Sequence, residues 1–480
     1  MTAGSEMSDL ARPTIETTRK AAAVEAFAQR DDEALESVRI KINGKWLLLS
    51  GEFVANHPGG SVIYQYKDSD ATQIFDAFHE GSASAYKQLA VVEKRNEVQY
   101  PGGADPTLKT VISTKEVNVG VYDLSLEQEK KIVRSFEALK KQVTVEGLMD
   151  ERPWYFARKV AEVAGFMLLA FVLQYHRWYI ASALSMAMCW QQLGWLTHEV
   201  INTFCHHQPF KNRRYNDWCA LILGNLAQGF SRDWWKDKHN THHAATNIIE
   251  QDGDIDLAPL IAMVPEDLVR YRQPIEQFFL KFIPYQHFYF TFTLPLLRVS
   301  WVTQSLIHVF QAPTSRYSKD RSHATIEQYA LLAHWSWVVL QLYLLPDMTT
   351  RLTYFAISQL LSGTFIALVV TFNHNSLDKY PEGSRLLNNF AALHILTTRN
   401  MNPGPFVDWF WGGLNYQIEH HLFPTMPRPN LTRCSVLVRQ FCYENGLPYM
   451  VDDYKTGYVA SLRLLENVSK LAEKQKILVD

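Results

Sequence analysis

Apolar positions are unevenly spread along the chain. Residues 1–35 are rich in Ala, Thr, Asp and Glu and carry little apolar periodicity, so they are expected to form a disordered tail. From residue 38 a two-residue alternation sets in. Val38-Arg39-Ile40-Lys41-Ile42 reads as a strand, Asn43-Gly44 as a hairpin turn, and Lys45-Trp46-Leu47-Leu48-Leu49 as the returning strand. Together with the text up to Val98 this makes a small α+β module. After Tyr100-Pro101-Gly102-Gly103 a linker leads to a charged stretch from Ser125 to Glu146, predicted as a helix with Ser125 as its N-cap and Gly147 as its stop.

Beyond residue 160 the pattern changes to long apolar runs. Segments 160–173 and 178–196 are separated only by Gln174-Tyr175-His176-Arg177, which predicts a helical hairpin that enters and leaves a bilayer. Segments 288–310, 329–345 and 352–372 follow, with Trp or Tyr near several ends, where interfacial anchors belong. Segment 288–310 contains Pro295 and Arg298 and is read as interfacial rather than spanning. The other two form a second hairpin that turns at 346–351. Four spans bring the chain back to the side on which it entered. Lys211, Arg213, Arg214, Lys236 and Lys238 follow the first hairpin and place that side in the cytosol. The competing reading makes these segments buried helices of a large soluble protein.

At 480 residues the chain is long enough for two units. A net charge of -2 offers no basic field, which excludes nucleic acid as the main partner. The five cysteines are odd in number and irregularly spaced, so no disulfide framework is expected. Residues 1–30 lack the basic start, apolar core and cleavage site of a signal peptide, which keeps the N-terminus cytosolic. No internal repeat is visible.

Histidine changes the picture most. Of 17 histidines, six (His176, His287, His308, His323, His334 and His394) stand in contexts without an evident role. Two of the others, His57 in Asn56-His57-Pro58-Gly59-Gly60 and His79 in Phe78-His79-Glu80-Gly81, fall within the small module. A pair of imidazoles on one haem iron leaves no open position, which suits an electron carrier. The rest group outside the apolar runs. His198 stands with His206-His207, then His239-Asn240-Thr241-His242-His243, then Gln417-Ile418-Glu419-His420-His421. On a helix, positions i, i+3 and i+4 share a face, so His239, His242 and His243 can aim three imidazoles at one point, and imidazole suits iron. His374, just past the last apolar run, raises the set to nine, enough for two irons with positions left for oxygen. Surface histidines or a zinc site are the competing readings.

These clusters resemble the three histidine boxes of the front-end fatty acid desaturases, which carry an N-terminal cytochrome b5 domain; the resemblance covers about 38–458. In that family the third box begins with glutamine, and here it reads Gln417-Ile418-Glu419-His420-His421-Leu422-Phe423-Pro424. The text around Trp234-Trp235-Lys236-Asp237-Lys238 and Thr371-Phe372-Asn373-His374-Asn375 resembles the nematode delta-6 and delta-5 members, delta-6 before delta-5. The family's first box has its second histidine four residues after the first, whereas seven residues separate His198 from His206 here. An eight-residue helical step rises about 12 Å, too far for both imidazoles to share one ion through bonds of about 2 Å. Either the extra residues loop out, or His198 is displaced, or they come from an error in the gene model.

The resemblance implies a small α+β cytochrome b5-like domain followed by an all-α multi-span membrane desaturase domain. Its divisions are a tail at 1–35, a haem domain at 36–100, a linker and helix at 101–150, the di-iron domain at 151–460 and a C-terminal tail at 461–480. The implied cofactors are haem b on His57 and His79, and two non-haem irons on His198, His206, His207, His239, His242, His243, His374, His420 and His421. Oxygen is the co-substrate, and the box histidines other than His374 are also the catalytic set. The substrate is a fatty acyl-CoA or acyl-lipid, the electron donor an NADH-cytochrome b5 reductase, and the location the endoplasmic reticulum membrane with haem domain and boxes on the cytosolic face. The reaction leaves a cis double bond and water. Two other functions compete: hydroxylation of a fatty acyl chain or sphingoid base by the same kind of centre, and a membrane haem electron carrier without an enzyme.

Overall fold

Asn43 and Gly44 take φ of 52° and 77°, the left-handed pair that a two-residue hairpin demands. They close β1 (Val38–Ile42) on β2 (Lys45–Leu49) in an antiparallel register that pairs Ile40 with Leu47. The structure, a computed structural model, describes residues 37–100, 116–201, 210, 213–270, 273–311 and 321–477. Alternation buries Val38, Ile40 and Ile42 on one face of β1. That face meets the 3-10 turn Gly60–Tyr66 and helices α1 (Thr72–His79) and α2 (Ala83–Asn96).

Helix α3 (Leu126–Val145) starts at a capping box, where the Ser125 hydroxyl accepts the Gln128 N–H and the Gln128 side chain accepts the Ser125 N–H. Its buried residues Ile132, Phe136, Leu139 and Val143 recur every three or four positions and form one stripe. Phe136 lies 5.9 Å from Phe390 and 5.7 Å from Phe423 between ring centres, so this stripe packs against the C-terminal half of the chain. Gly147 at φ 67° ends the helical run, as expected of a C-terminal glycine.

The two predicted hairpins are four long helices: α4 (Pro153–Tyr175), α5 (Tyr179–Ile201), α6 (Arg321–Tyr343) and α7 (Met348–His374). The Asp347 carboxylate accepts the Thr350 N–H and starts α7, so the second hairpin turns where the sequence predicts. α5 packs against α4 and α7. Outward they present large apolar side chains, with Leu168, Leu332, Val339 and Leu352 each about two-thirds exposed, a surface that water disfavours and lipid accepts. Among the described residues one helix, Met348–His374, is by itself long and apolar enough to cross a membrane. Segment 288–310, expected as interfacial, is broken around Pro295: helix Gln286–Thr293, a 3-10 turn at Leu294–Leu296, then helix Leu297–Gln311.

Between the hairpins lies helix Arg232–Ala244, and after the second come Phe390–Thr397, Gln417–Leu422 and Leu431–Asn445. A two-residue parallel pairing of Asn400–Met401 with Val451–Asp452 ties the C-terminal part together. Residues 461–477 do not form the expected tail. They continue the helix Tyr454–Ile477, and Leu464, Leu465 and Val468 are buried against the remainder of the chain.

Candidate metal centre and adjoining cavity

Helix Arg232–Ala244 is fixed at its start. Ser231 Oγ accepts the Trp234 N–H at 3.1 Å and donates to Glu327 Oε2 at 2.6 Å, and Arg232 pairs with Glu327 at 3.2 Å. In its last two turns, His239 and His243 turn inward. His239 Nε2 stands 2.9 Å from His198 Nε2 on α5 and 3.1 Å from His243 Nε2, which stands 3.0 Å from His420 Nε2. Two imidazole nitrogens bonded to one ion at about 2.0–2.1 Å, at roughly 90–110° to each other, lie about 2.9–3.4 Å apart. The spacing of these buried rings fits metal ligation, with His198, His239 and His420 as one set and His243 standing between His420 and His421.

A second group adjoins the first. His242, His374 and His421 bring their ring nitrogens within 4.8 Å of one another. The Gln417 amide lies 2.9 Å from His374 Nε2 and 3.1 Å from His421 Nε2, and turning the amide over would present its oxygen to the same point. The His243 and His421 rings stack at 4.0 Å and join the two groups into one centre. Every one of these seven histidines is 6% exposed or less.

The outer ring nitrogens show which way the inner ones face. His374 Nδ1 lies 2.9 Å from the Thr397 carbonyl, which can only accept, so Nδ1 carries the proton and Nε2 turns a lone pair to the centre. His242 Nδ1 likewise donates to Asp252 at 3.0 Å. Burial lowers the pKa of His242, but the charges of Asp252 and then Asp254 outweigh it and hold that group above the ordinary histidine value. Burial, with neighbouring histidines His374 and His394, pushes His421 well below it. His394, 3.2 Å from His421 Nδ1, is pushed down to about 3, first by burial and then by His242. Neutral imidazole is the form that binds metal.

Around the third box, Glu419 is fully buried and accepts from Asn400 Nδ2 and Tyr449 Oη, each at 2.8 Å, while Asn400 Oδ1 accepts the Ile418 N–H. Burial pushes Glu419 up to about 7 against those hydrogen bonds. Arg428, just past the box, forms a buried ion pair with Glu199, the neighbour of His198. Gly412 and Gly413, at φ 61° and 83°, leave room for Trp195 and Arg428, where any Cβ would collide with them.

His198 therefore lies within the cluster and is not displaced. His206 and His207 fall outside the described residues. Asp252, Thr397 and His394 were not singled out from the sequence. Asp252-Gly253-Asp254 is visible there as an acidic run ten residues past His242, but only the fold pairs it with that ring.

A cavity of about 200 Å³ opens beside the centre. His198, His239, His242, His374 and Gln417 line one wall, and Trp195, Phe230, Trp301, Ile366 and Val370 the apolar remainder. Lys238, Asp254 and Asp256 also line it, with Lys238 Nζ 2.6 Å from Asp254. An apolar slot ending at a metal centre, with charged groups in its lining, suits a long amphiphile.

In the small module His57 and His79 face each other across a second cavity of about 110 Å³, lined by Ile40, Leu47, Val62, Ile74 and Phe78. Their ring centres are 6.1 Å apart. Two imidazoles on opposite faces of one iron, bonded at about 2 Å each, would stand roughly 6 Å apart between ring centres.

With buried histidine groups that fit two irons beside an apolar slot, the chain belongs to the fatty acid desaturase family, whose model matches residues 175–452. That family is membrane-bound, acts on fatty acyl substrates and comprises oxidoreductases. Among known proteins, the chain is 55% identical to the delta-6 fatty-acid desaturase fat-3 of Caenorhabditis elegans over 92% of this chain and 98% of that one. It is 47% identical to the delta-5 fatty acid desaturase fat-4 of the same organism, over 91% and 96%. A delta-8 fatty-acid desaturase of Euglena gracilis is 36% identical over 87% and 93%.

Proposed function

We propose that this protein is a front-end acyl desaturase that introduces a cis double bond into a polyunsaturated fatty acyl chain, at the delta-6 position in preference to delta-5. The observation that carries the chemistry is the meeting of the two histidine groups at the wall of one apolar cavity. The higher identity to the delta-6 relative favours that position.

In this reading His198, His239 and His420 hold one iron, His242, His374 and His421 hold the other with Gln417 beside them, and His243 stands between the two sets. His206 and His207 are further ligands by their place in the first box. Iron held there would supply the reduction of dioxygen to water coupled to removal of one hydrogen from each of two adjacent methylenes, four electrons in all, two from the acyl chain and two delivered singly. Asp252 and Thr397 keep the ring nitrogens of His242 and His374 turned inward. Trp195, Phe230, Trp301 and Ile366 grip the acyl chain and keep water from the reacting carbons, so the depth of the slot selects the carbon pair. Haem b between His57 and His79 would pass single electrons from an NADH-dependent reductase. The module at 36–100 is accordingly a cytochrome b5-like domain, and the domain beyond 151 lies in the endoplasmic reticulum membrane with both centres on the cytosolic face.

The test is expression in yeast fed separately with linoleic, α-linolenic and dihomo-γ-linolenic acids, followed by fatty-acid methyl ester analysis. New double bonds at carbon 6 of the first two are expected. A bond at carbon 5 of the third alone would reassign the position, and a hydroxylated product would overturn desaturation.

A further inference from the structure

The small module docks on the helix that carries the second box. Its 3-10 turn Gly60–Tyr66 packs along Arg232–Ala244, and two hydrogen bonds pin the contact. Asn240 Nδ2 donates to the Gly59 carbonyl at 3.2 Å, and Tyr66 Oη donates to the Ala244 carbonyl at 2.8 Å. Tyr66, Asn240 and Ala244 are all buried. Further along the same face, Asn388 Oδ1 accepts the Asp70 N–H, and Gln73 Oε1 accepts the Phe390 N–H.

Asn240 has an unusual place in this contact. Gly59 is two residues from His57 and its N–H lies 3.2 Å from His57 Nδ1, while Asn240 is bonded in the chain to His239. Two hydrogen bonds through Gly59, one to His57 and one to Asn240, lead from the candidate haem ligand to the neighbour of the candidate iron ligand. Asparagine is a poor residue for a helix interior, and its buried Oδ1 has no hydrogen-bond partner among the described residues. The helix itself gains nothing from it, so its use lies in the donated bond.

We propose that Asn240 is a positioning residue that clamps the His57 loop to the helix of His239, and that electrons enter the metal centre across this contact. The electron-transfer part rests on the reading that His57 and His79 hold haem and the boxes hold iron. Haem held by His57 and His79 would supply one electron per crossing, and iron held by the boxes would accept it. Two crossings would serve each double bond, with the electrons drawn from reduced nicotinamide through the NADH-dependent reductase named above.

The test uses the full-length protein in detergent, with Asn240→Leu and Tyr66→Phe. Hydrogen exchange of the amides in 60–66 should quicken about five- to a hundredfold in Asn240→Leu, the range set by leaving one buried carbonyl unpaired at a docking contact. Reoxidation of prereduced haem on mixing with oxygen and acyl substrate should slow by a similar factor, with KM for substrate, iron content and haem absorption unchanged. Exchange and reoxidation both within about twofold of the parent would overturn the proposal. Should Asn240→Leu lose iron, Tyr66→Phe decides: faster exchange with iron retained supports the clamp, and unchanged exchange overturns it. A parent protein without haem or iron would refute the cofactor reading instead, while exchange would still judge the clamp.

Discussion

Asp252 offers the sharpest test of the candidate metal centre, because the sequence leaves it unremarked and the fold sets it against His242. Its carboxylate accepts His242 Nδ1 at 3.0 Å on both oxygens, the Asn247 N–H at 2.8 Å and the Asp254 N–H at 2.9 Å. Asp252→Asn keeps the shape but removes the charge, and turns one accepting oxygen into an amide that faces a donor. A hydrogen bond to a charged group contributes about 1.5–3 kcal/mol, and 1.4 kcal/mol is a factor of ten, so iron at the His242 group should bind about ten- to 150-fold more weakly. That agrees with the ~10–100-fold expected when a residue orienting a metal ligand is lost. Asp254→Asn is the control. Asp254 stands 3.7 Å from His242, is about a third exposed and pairs mainly with Lys238, so its loss should change iron affinity by less than about fivefold. The assay is iron per chain after titration with a competing chelator, read alongside double-bond formation. Equal behaviour of the two variants, or a full iron complement in Asp252→Asn, would refute the assignment of Asp252.

His374→Ala should lower iron per chain by about half without touching haem absorption, whereas His287→Ala, whose ring bonds Ser469, should leave both intact, as metal analysis and visible spectra can check. Iron removal should lower the midpoint of thermal unfolding, since a metal at a hundred times its Kd stabilises by about 2.7 kcal/mol; an unchanged midpoint would argue against a metal-organised core. Gly363→Ala places a methyl against the backbone of Pro295 and Arg298, so α7 must shift at a cost of about 1–3 kcal/mol, measurable as a lower midpoint in detergent.

The local elements were legible because their signals are local. The Asn43-Gly44 turn, the Ser125 cap and the two apolar hairpins each follow from a few adjacent residues. Box spacing alone put His239, His242 and His243 on one face of a helix. Which histidine meets which was not legible, because His198, His239 and His420 come together only through the packing of α5 against its neighbours and the close approach at Gly412 and Gly413. The same holds for residues that act through a partner far along the chain: Thr397 on His374, Arg428 on Glu199, and Gly59 on Asn240 across 181 positions. The C-terminal helix was missed for a related reason, since its charged text hides a narrow buried stripe. Residue type and spacing determined what chemistry this chain can hold. The tertiary structure decided where that chemistry converges, because burial and distance between remote segments are properties of packing and leave no local mark.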